Sequence, residues 1–321
     1  YDDNMSQVFF RELDLPQPEI NLNVGSGSHA QQTGQMMICV EEVLLREQPD
    51  FVAVYGDTNS TVAGALVAAK LHIPIVHVES GLRSFDRRMP EEINRVTTDH
   101  LSSILFAPTN KAIENLQAEG ITKGVYNVGD VRVDVLANMQ ARIEERIQSL
   151  AEQINLSAGM DYILATIHRA ENTDNEVRLR QILDTLNQLG VPVVLPVHPR
   201  LRKMIQSYNL EFSDVVHAID PVGFFDMMTL LHGCKIVVTD SGGLQKESYM
   251  MKRPTITLRD STEWIETVHS GWNRLSEPEP AEFEAALQQA LGNLPAKHPS
   301  FYGEYGVGKR MVQILEEAMD S

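Results

Sequence analysis

The chain has 321 residues, 43% of them apolar, with 44 acidic against 27 basic side chains and a formal charge of −17. That length predicts two domains, each large enough to bury its own core, and the acidic balance speaks against general binding to nucleic-acid backbones or anionic membranes, leaving room for a local basic pocket around a small anion. Cys39 and Cys234 lie far apart and outside any CxxC spacing, which fits a reducing cytoplasm and offers no structural zinc site.

In chain order, the first helical pattern covers 35–47, where Met36, Met37, Val40, Val43 and Leu44 form an apolar stripe suited to a core or to a dimer face. Short β-branched runs then alternate with helical patterns, the signature of βα units and parallel sheets. Strands are predicted at 51–55, 73–78, 104–106 and 125–128, with helices over 60–71, 92–101 and 110–119. A long, highly charged helical pattern over 131–156 ends the first domain and crosses to the second, with the hinge expected near 150–160. Further strands are predicted at 162–166, 191–197, 215–219, 236–239 and 255–258, and a Gly-rich turn over 302–306 leads into a last helix over 308–319. The expected fold is α/β: two doubly wound, Rossmann-like domains facing across a cleft, spanning 1–150 and 151–303, with a closing helix over 304–321 packing back on the first.

In open parallel sheets, ligands bind beyond the carboxyl ends of the strands, and those ends are polar here. Gly56-Asp57-Thr58-Asn59-Ser60-Thr61 follows the first strand and Glu79-Ser80-Gly81-Leu82-Arg83 the second; the acids are 79 − 57 = 22 residues apart, about one βα unit, so neighbouring strands would bring both into one crevice. Met89-Pro90-Glu91-Glu92 adds a third acid at a helix start, where free amides and the dipole favour a carboxylate. Singly, Asp57 reads equally well as a helix cap and Glu91 as a dipole complement. Together, beside Arg83, Arg87, Arg88 and Arg95, they point to general acid/base groups next to an anion site.

In the second half, His168 and His198 follow equivalent strands. A single such histidine is more often a hydrogen-bonding loop residue, and a pair at matching strand ends shifts that balance. Thr239-Asp240-Ser241-Gly242-Gly243-Leu244 turns a strand into a helix and would present amides and a dipole to a phosphate, although an ordinary tight turn accounts for the same glycines. The sequence contains no P-loop, GxGxxG, GxSxG or HExxH pattern, which removes support for triphosphate hydrolysis, simple NAD binding, a serine nucleophile elbow and zinc catalysis.

These segments, with Pro90-Glu91-Glu92-Ile93-Asn94-Arg95, His168-Arg169-Ala170-Glu171-Asn172, His198-Pro199-Arg200 and the run continuing through Lys246-Glu247, resemble the non-hydrolysing UDP-N-acetylglucosamine 2-epimerases, in order, along essentially the whole chain. The resemblance implies the GT-B-like two-domain fold shared with many glycosyltransferases. It implies an isomerase that interconverts UDP-N-acetylglucosamine and UDP-N-acetylmannosamine through a bound glycal and UDP. It assigns acid/base roles to Asp57, Glu79 and Glu91, and places His168 at the departing diphosphate. Ser241, Gly242 and Gly243 would meet phosphate oxygens, Glu247 the ribose hydroxyls, and Phe224 the uracil as part of the loop 220–224, with Met227 where an aromatic is usual. Arg95 would either contact an anion or pair with a carboxylate. No metal and no nicotinamide is implied; the expected partner is the UDP-sugar, with no nucleic acid and no membrane, in a cytoplasmic homodimer.

Members of that family open with a strand, a Gly-x-Arg-Pro turn and a Lys. That segment is not in this sequence, so the first domain is expected to lack its N-terminal strand or strands, about one βαβ stretch of 30 or more residues, together with two cations, and to be inactive as it stands. Within the class, Arg83-Ser84-Phe85-Asp86-Arg87-Arg88-Met89 also resembles relatives that epimerise a UDP-diacetamido-glucuronic acid, and a GT-B glycosyltransferase is the more distant alternative.

Overall fold

The computed structural model describes residues 10, 12, 13, 15–157 and 159–319. The chain forms an α/β fold with two parallel sheets. Before and through the first sheet run α1 (His29–Glu47), β1 (Val52–Tyr55), α2 (Asn59–Lys70), β2 (Ile75–Val78), α3 (Pro90–Leu101), β3 (Ile104–Ala107), α4 (Asn110–Ala118), β4 (Val125–Asn127) and α5 (Arg132–Gln153). The second sheet is built from β5 (Ile163–Thr166), α6 (Ala170–Thr173), α7 (Glu176–Asn187), β6 (Val193–Pro196), α8 (Pro199–Ser207), β7 (Val216–Ile219), α9 (Phe224–Gly233), β8 (Ile236–Thr239), α10 (Gly242–Met250), β9 (Thr255–Thr257), α11 (Ile265–His269), β10 (Asn273–Leu275) and α12 (Pro280–Gly292), and the chain closes with α13 (Val307–Met319).

The first sheet has the order β1-β2-β3-β4 and the second β10-β9-β8-β5-β6-β7, every pair parallel. β2, β3, β5, β6 and β8 are buried along their whole length, as parallel strands covered by helices on both faces must be. Each fully buried Val, Leu, Ile or Phe side chain in them contributes about 1.5–3 kcal/mol. The second sheet reverses its order between β5 and β8, with β6 and β7 laid to one side and β9 and β10 to the other. Such a switch point parts the loops that follow the two central strands and opens a ligand crevice there.

All nine predicted strands form, and β10 is an addition. Its three residues, Asn273-Arg274-Leu275, carry too little hydrophobic pattern to announce a strand, and it is recruited by pairing with β9, Asn273 opposite Thr255. α1 begins well before Gln35, because Ser28 and Gln31 form a reciprocal capping box that starts the helix in polar sequence. Its stripe serves the core: Met37, Val40 and Leu44 pack with Val54, Ala65 and Ala68.

By internal contacts the chain divides into one unit holding the described residues up to Ala137 and from Ser300 onward, and a second over Asn138–Pro299. The division lies inside α5, ahead of the hinge expected near 150–160. The first turn of α5 belongs to the first unit through Asp134, whose carboxylate accepts the amides of Gly306 (2.7 Å), Val307 (3.1 Å) and Gly308 (2.9 Å) and so caps α13. The later turns belong to the second unit, where Arg146 pairs with Asp226 at 2.9 Å. Val307 and Met311 of α13 join Val76, Phe106 and Val128 in the core of the first sheet.

Candidate active site

In the first unit the three predicted acids converge at the carboxyl ends of β1 and β2 and the start of α3. Asp57 is not a helix cap: Thr58 takes that position on α2 in a reciprocal box with Thr61. The Asp57 carboxylate turns instead to Arg95, Nη2 to Oδ2 2.5 Å, while Asn94 Nδ2 donates to its backbone carbonyl at 2.9 Å. Burial pushes the Asp57 carboxyl above its usual range; Arg95 opposes the rise, and the neighbouring charges of Glu79 and Glu91 add to it. Glu79 holds a left-handed backbone, φ 68°, which costs a side-chain-bearing residue about 1–3 kcal/mol and is kept only where the surroundings enforce it. Its Oε2 lies 3.5 Å from the point where a Cβ on Gly56 would sit, so the carboxylate rests against the turn that carries Asp57. Glu91 is exposed in the first turn of α3, directly after Pro90.

Arg95, open between an anion contact and a salt bridge, forms the salt bridge. It is 5% exposed, and its Nη1 also reaches Glu92 at 3.1 Å. The physical reason is register: Glu92 and Arg95 are three residues apart on one face of α3, and Asp57 follows the adjacent strand end, so the guanidinium is closer to fixed carboxylates than to solvent. Arg83 is likewise consumed, bidentate on Glu119 (2.7 and 2.6 Å) and 2.7 Å from Asp99.

In the second unit, His168 follows β5 and Asp240 follows β8, the two strands flanking the switch point. His168 Nδ1 lies 3.0 Å from Asp240 Oδ1. The buried Asp240 carboxylate also accepts the amides of His168 (3.1 Å) and Arg169 (3.0 Å) and Asn172 Nδ2 (3.0 Å). Burial alone would raise its pKa, but the hydrogen bond and charge of His168, with Asn172 and the Arg169 amide, outweigh that and hold it below the usual range. A carboxylate on Nδ1 selects the tautomer that protonates Nδ1 and leaves the lone pair on Nε2. His198 behaves differently: its Nδ1 accepts the Arg200 amide at 3.2 Å and caps α8, and burial, His168 and Arg200 lower its pKa.

Ser241 caps α10, accepting the Leu244 amide at 3.4 Å. Gly242 and Gly243 form its first turn, where unpaired amides and the dipole favour an anion. The site is not purely cationic, since a Cβ on Gly242 would come within 2.6 Å of Glu263 Oε1, whose other oxygen pairs with Arg259 at 3.1 Å. Glu247 lies further along α10, 5% exposed. Phe224 opens α9 behind the loop that leaves β7, and both Phe224 and Met227 are half-buried.

A family model described as UDP-N-acetylglucosamine 2-epimerase matches residues 1–316. The chain belongs to that family. It is 49% identical over 320 residues to a UDP-N-acetylglucosamine 2-epimerase homolog of Methanococcus maripaludis, covering 98% of this chain and 88% of the relative. It is 44% identical over 321 residues to a UDP-2,3-diacetamido-2,3-dideoxy-D-glucuronate 2-epimerase of Pseudomonas aeruginosa, with the same coverage of 98% and 88%. The crystal structure of the Methanocaldococcus jannaschii UDP-GlcNAc 2-epimerase in complex with UDP-GlcNAc and UDP matches with a TM-score of 0.89 at 43% identity, over 99% of this chain and 89% of that one. As a member of the epimerase family the protein is an isomerase.

Three side chains join this family's expected set only through the structure. Asp240 meets a histidine 72 residues away, Asn94 a carbonyl 37 residues away, and His77 the carbonyl of Gly56, 21 residues away. All three stand inside or beside the motifs, but no spacing rule announces partners so distant.

Proposed function

We propose that the protein interconverts UDP-N-acetylglucosamine and UDP-N-acetylmannosamine without hydrolysis. In the forward half-reaction a carboxylate takes the C2 proton, the C2–H pair becomes the C1–C2 double bond, the anomeric C–O bond breaks and UDP leaves with the C–O bonding pair. In the return half-reaction C2 is protonated on the opposite face and UDP oxygen re-forms the bond at C1. The observation that carries this reading is the convergence of Asp57, Glu79 and Glu91, because inversion at carbon needs acid/base groups for two faces. The C2 proton is weakly acidic, so a base raised above the usual carboxylate range, as Asp57 is, suits its removal. His168, oriented by Asp240, would stabilise or protonate the departing diphosphate, with the α10 amides at Ser241, Gly242 and Gly243 sharing its charge. Phe224 and the loop before it would hold the uracil, and Glu247 the ribose hydroxyls. Arg95 would act through Asp57 by moderating its basicity. A cytoplasmic homodimer belongs to the same reading, and sedimentation analysis measures the dimer directly.

The test is proton NMR of UDP-N-acetylglucosamine incubated in deuterated water with a version of the protein that carries the family's opening segment. Deuterium at C2 and growth of UDP-N-acetylmannosamine are expected; turnover to free UDP without epimer refutes the proposal. A second reading, the same chemistry on UDP-2,3-diacetamido-glucuronate, is supported by the 44% identity to the Pseudomonas relative. Arg83 is buried in its ion pairs and Arg88 is tied to Asp86, so a sugar carboxylate would fall to the exposed Arg87. Exchange confined to the glucuronate substrate selects this second reading.

A further inference from the structure

His77 sits in the middle of the first sheet, fully buried in β2, with both ring nitrogens engaged. Nε2 lies 2.8 Å from the carbonyl oxygen of Gly56, and Nδ1 lies 2.6 Å from Asp99 Oδ1 on α3. The other Asp99 oxygen accepts the Gly81 amide at 3.1 Å and faces Arg83 Nη1 at 2.7 Å. Gly56 is the residue before Asp57, and Gly81 stands two after Glu79. Both glycines have left-handed backbones, φ 64° and 78°, so each marks a sharp turn that a small rotation would re-aim. Asp99 shares α3 with Glu91. One imidazole and one carboxylate therefore connect the three segments that present the three acids. A carbonyl only accepts, and so does a carboxylate that already faces an amide and a guanidinium, so the ring N–H is the donor toward Gly56 or toward Asp99 according to the tautomer. The contacts are shut away from water, where hydrogen bonds are stiffest.

Extending the epimerase reading, on which it rests, we propose that His77 and Asp99 are positioning residues that hold the Asp57 turn, the Glu79 turn and α3 in one register. Neither touches the sugar. Their effect is on the geometry of proton transfer, which tolerates little error: a displacement of about 1 Å costs on the order of 100-fold in rate.

The substitutions His77→Gln and His77→Asn separate the two arms, since a Gln amide can donate from the Nε2 position to Gly56 and an Asn amide from the Nδ1 position to Asp99. In both variants kcat for epimerisation is expected to fall about 10- to 100-fold, with KM and the Kd for UDP within about twofold. Amide hydrogen exchange should rise in peptides covering 55–61 and 79–84 and stay unchanged elsewhere. Asp99→Asn, which keeps the size and loses the double acceptor, supplies the same readings where a histidine variant does not fold. Unchanged kcat in both histidine variants overturns the proposal, and so does a loss entering KM and kcat alike with exchange raised across the whole first unit. Failure of the protein carrying the family's opening segment, with no substitution, to turn over any UDP-sugar refutes the epimerase reading itself, and the exchange pattern then decides the linkage.

Discussion

Replacing Gly81 with alanine measures how closely the Glu79 turn is fitted to its neighbours. A Cβ at position 81 would lie 2.4 Å from the carbonyl oxygen of Ala112, 2.9 Å from its carbonyl carbon and 2.9 Å from Leu116 Cγ. Two of those atoms are backbone of α4 and cannot rotate away, so the turn itself must move. Steric overpacking of this kind costs about 1–3 kcal/mol. The left-handed φ of 78° adds about 1–2 kcal/mol for any residue with a Cβ. The sum is about 2–5 kcal/mol, which at roughly 2–4 °C per kcal/mol for a unit of this size lowers Tm by about 4–20 °C. Gly120 provides the control, because its φ is also left-handed, 82°, yet nothing lies within 4 Å of its Cβ position. Gly120→Ala should lose the backbone contribution alone. Calorimetry of both variants, with kcat measured below both transitions, is the assay. Gly81→Ala is expected to melt well below Gly120→Ala and to lose about 10-fold or more in kcat as Glu79 shifts. Equal melting temperatures with full activity in the Gly81 variant would show that the turn has slack, and the fit described above would be wrong.

Asp57→Asn is expected to abolish C2 exchange, leave UDP binding largely intact and raise Tm at neutral pH. With its pKa raised by burial, and by Glu79 and Glu91 against Arg95, Asp57 favours the fold when neutral; that stability is lost as pH climbs above 3.8 through the raised value, and a lower Tm in the variant refutes the sign. Asp240 has the opposite sense: its lowered pKa gives stability that is complete above pH 3.8 and disappears as pH falls through the folded value. Asp240→Asn should therefore flatten the acid limb of the stability curve and, by unfixing the His168 ring, lower kcat about 100-fold; an acid limb matching the parent's counts against it. Arg83→Met leaves Asp99 and Glu119 uncompensated and should cost about 3–5 kcal/mol in urea unfolding. Arg88→Ala, whose side chain is 90% exposed in its pair with Asp86, should change stability by less than about 1 kcal/mol.

Local sequence carried the βα alternation. Ile75-Val76-His77-Val78 or Ile236-Val237-Val238-Thr239 is legible as strand because β-branched residues favour extended backbone and both faces are to be covered. It also carried the family, since the motifs stand in order at the loops that follow those strands. Asn273-Arg274-Leu275 was not legible, because three residues with a single apolar side chain among them become a strand only when a neighbour offers its edge. The reading of Asp57 as a cap was locally reasonable, and it gave way because Thr58 and Thr61 cap α2 between themselves and Arg95 arrives from α3. The sequence by itself determined which residues end each strand and what chemistry they bear. Tertiary structure decided their partners: the reversal of strand order between β5 and β8 brings His168 to Asp240, and the pairing of β1 with β2 brings His77 to Gly56. Periodicity and capping act over one or two helical turns, whereas these contacts join residues tens of positions apart, whose meeting depends on how whole strands are ordered in a sheet.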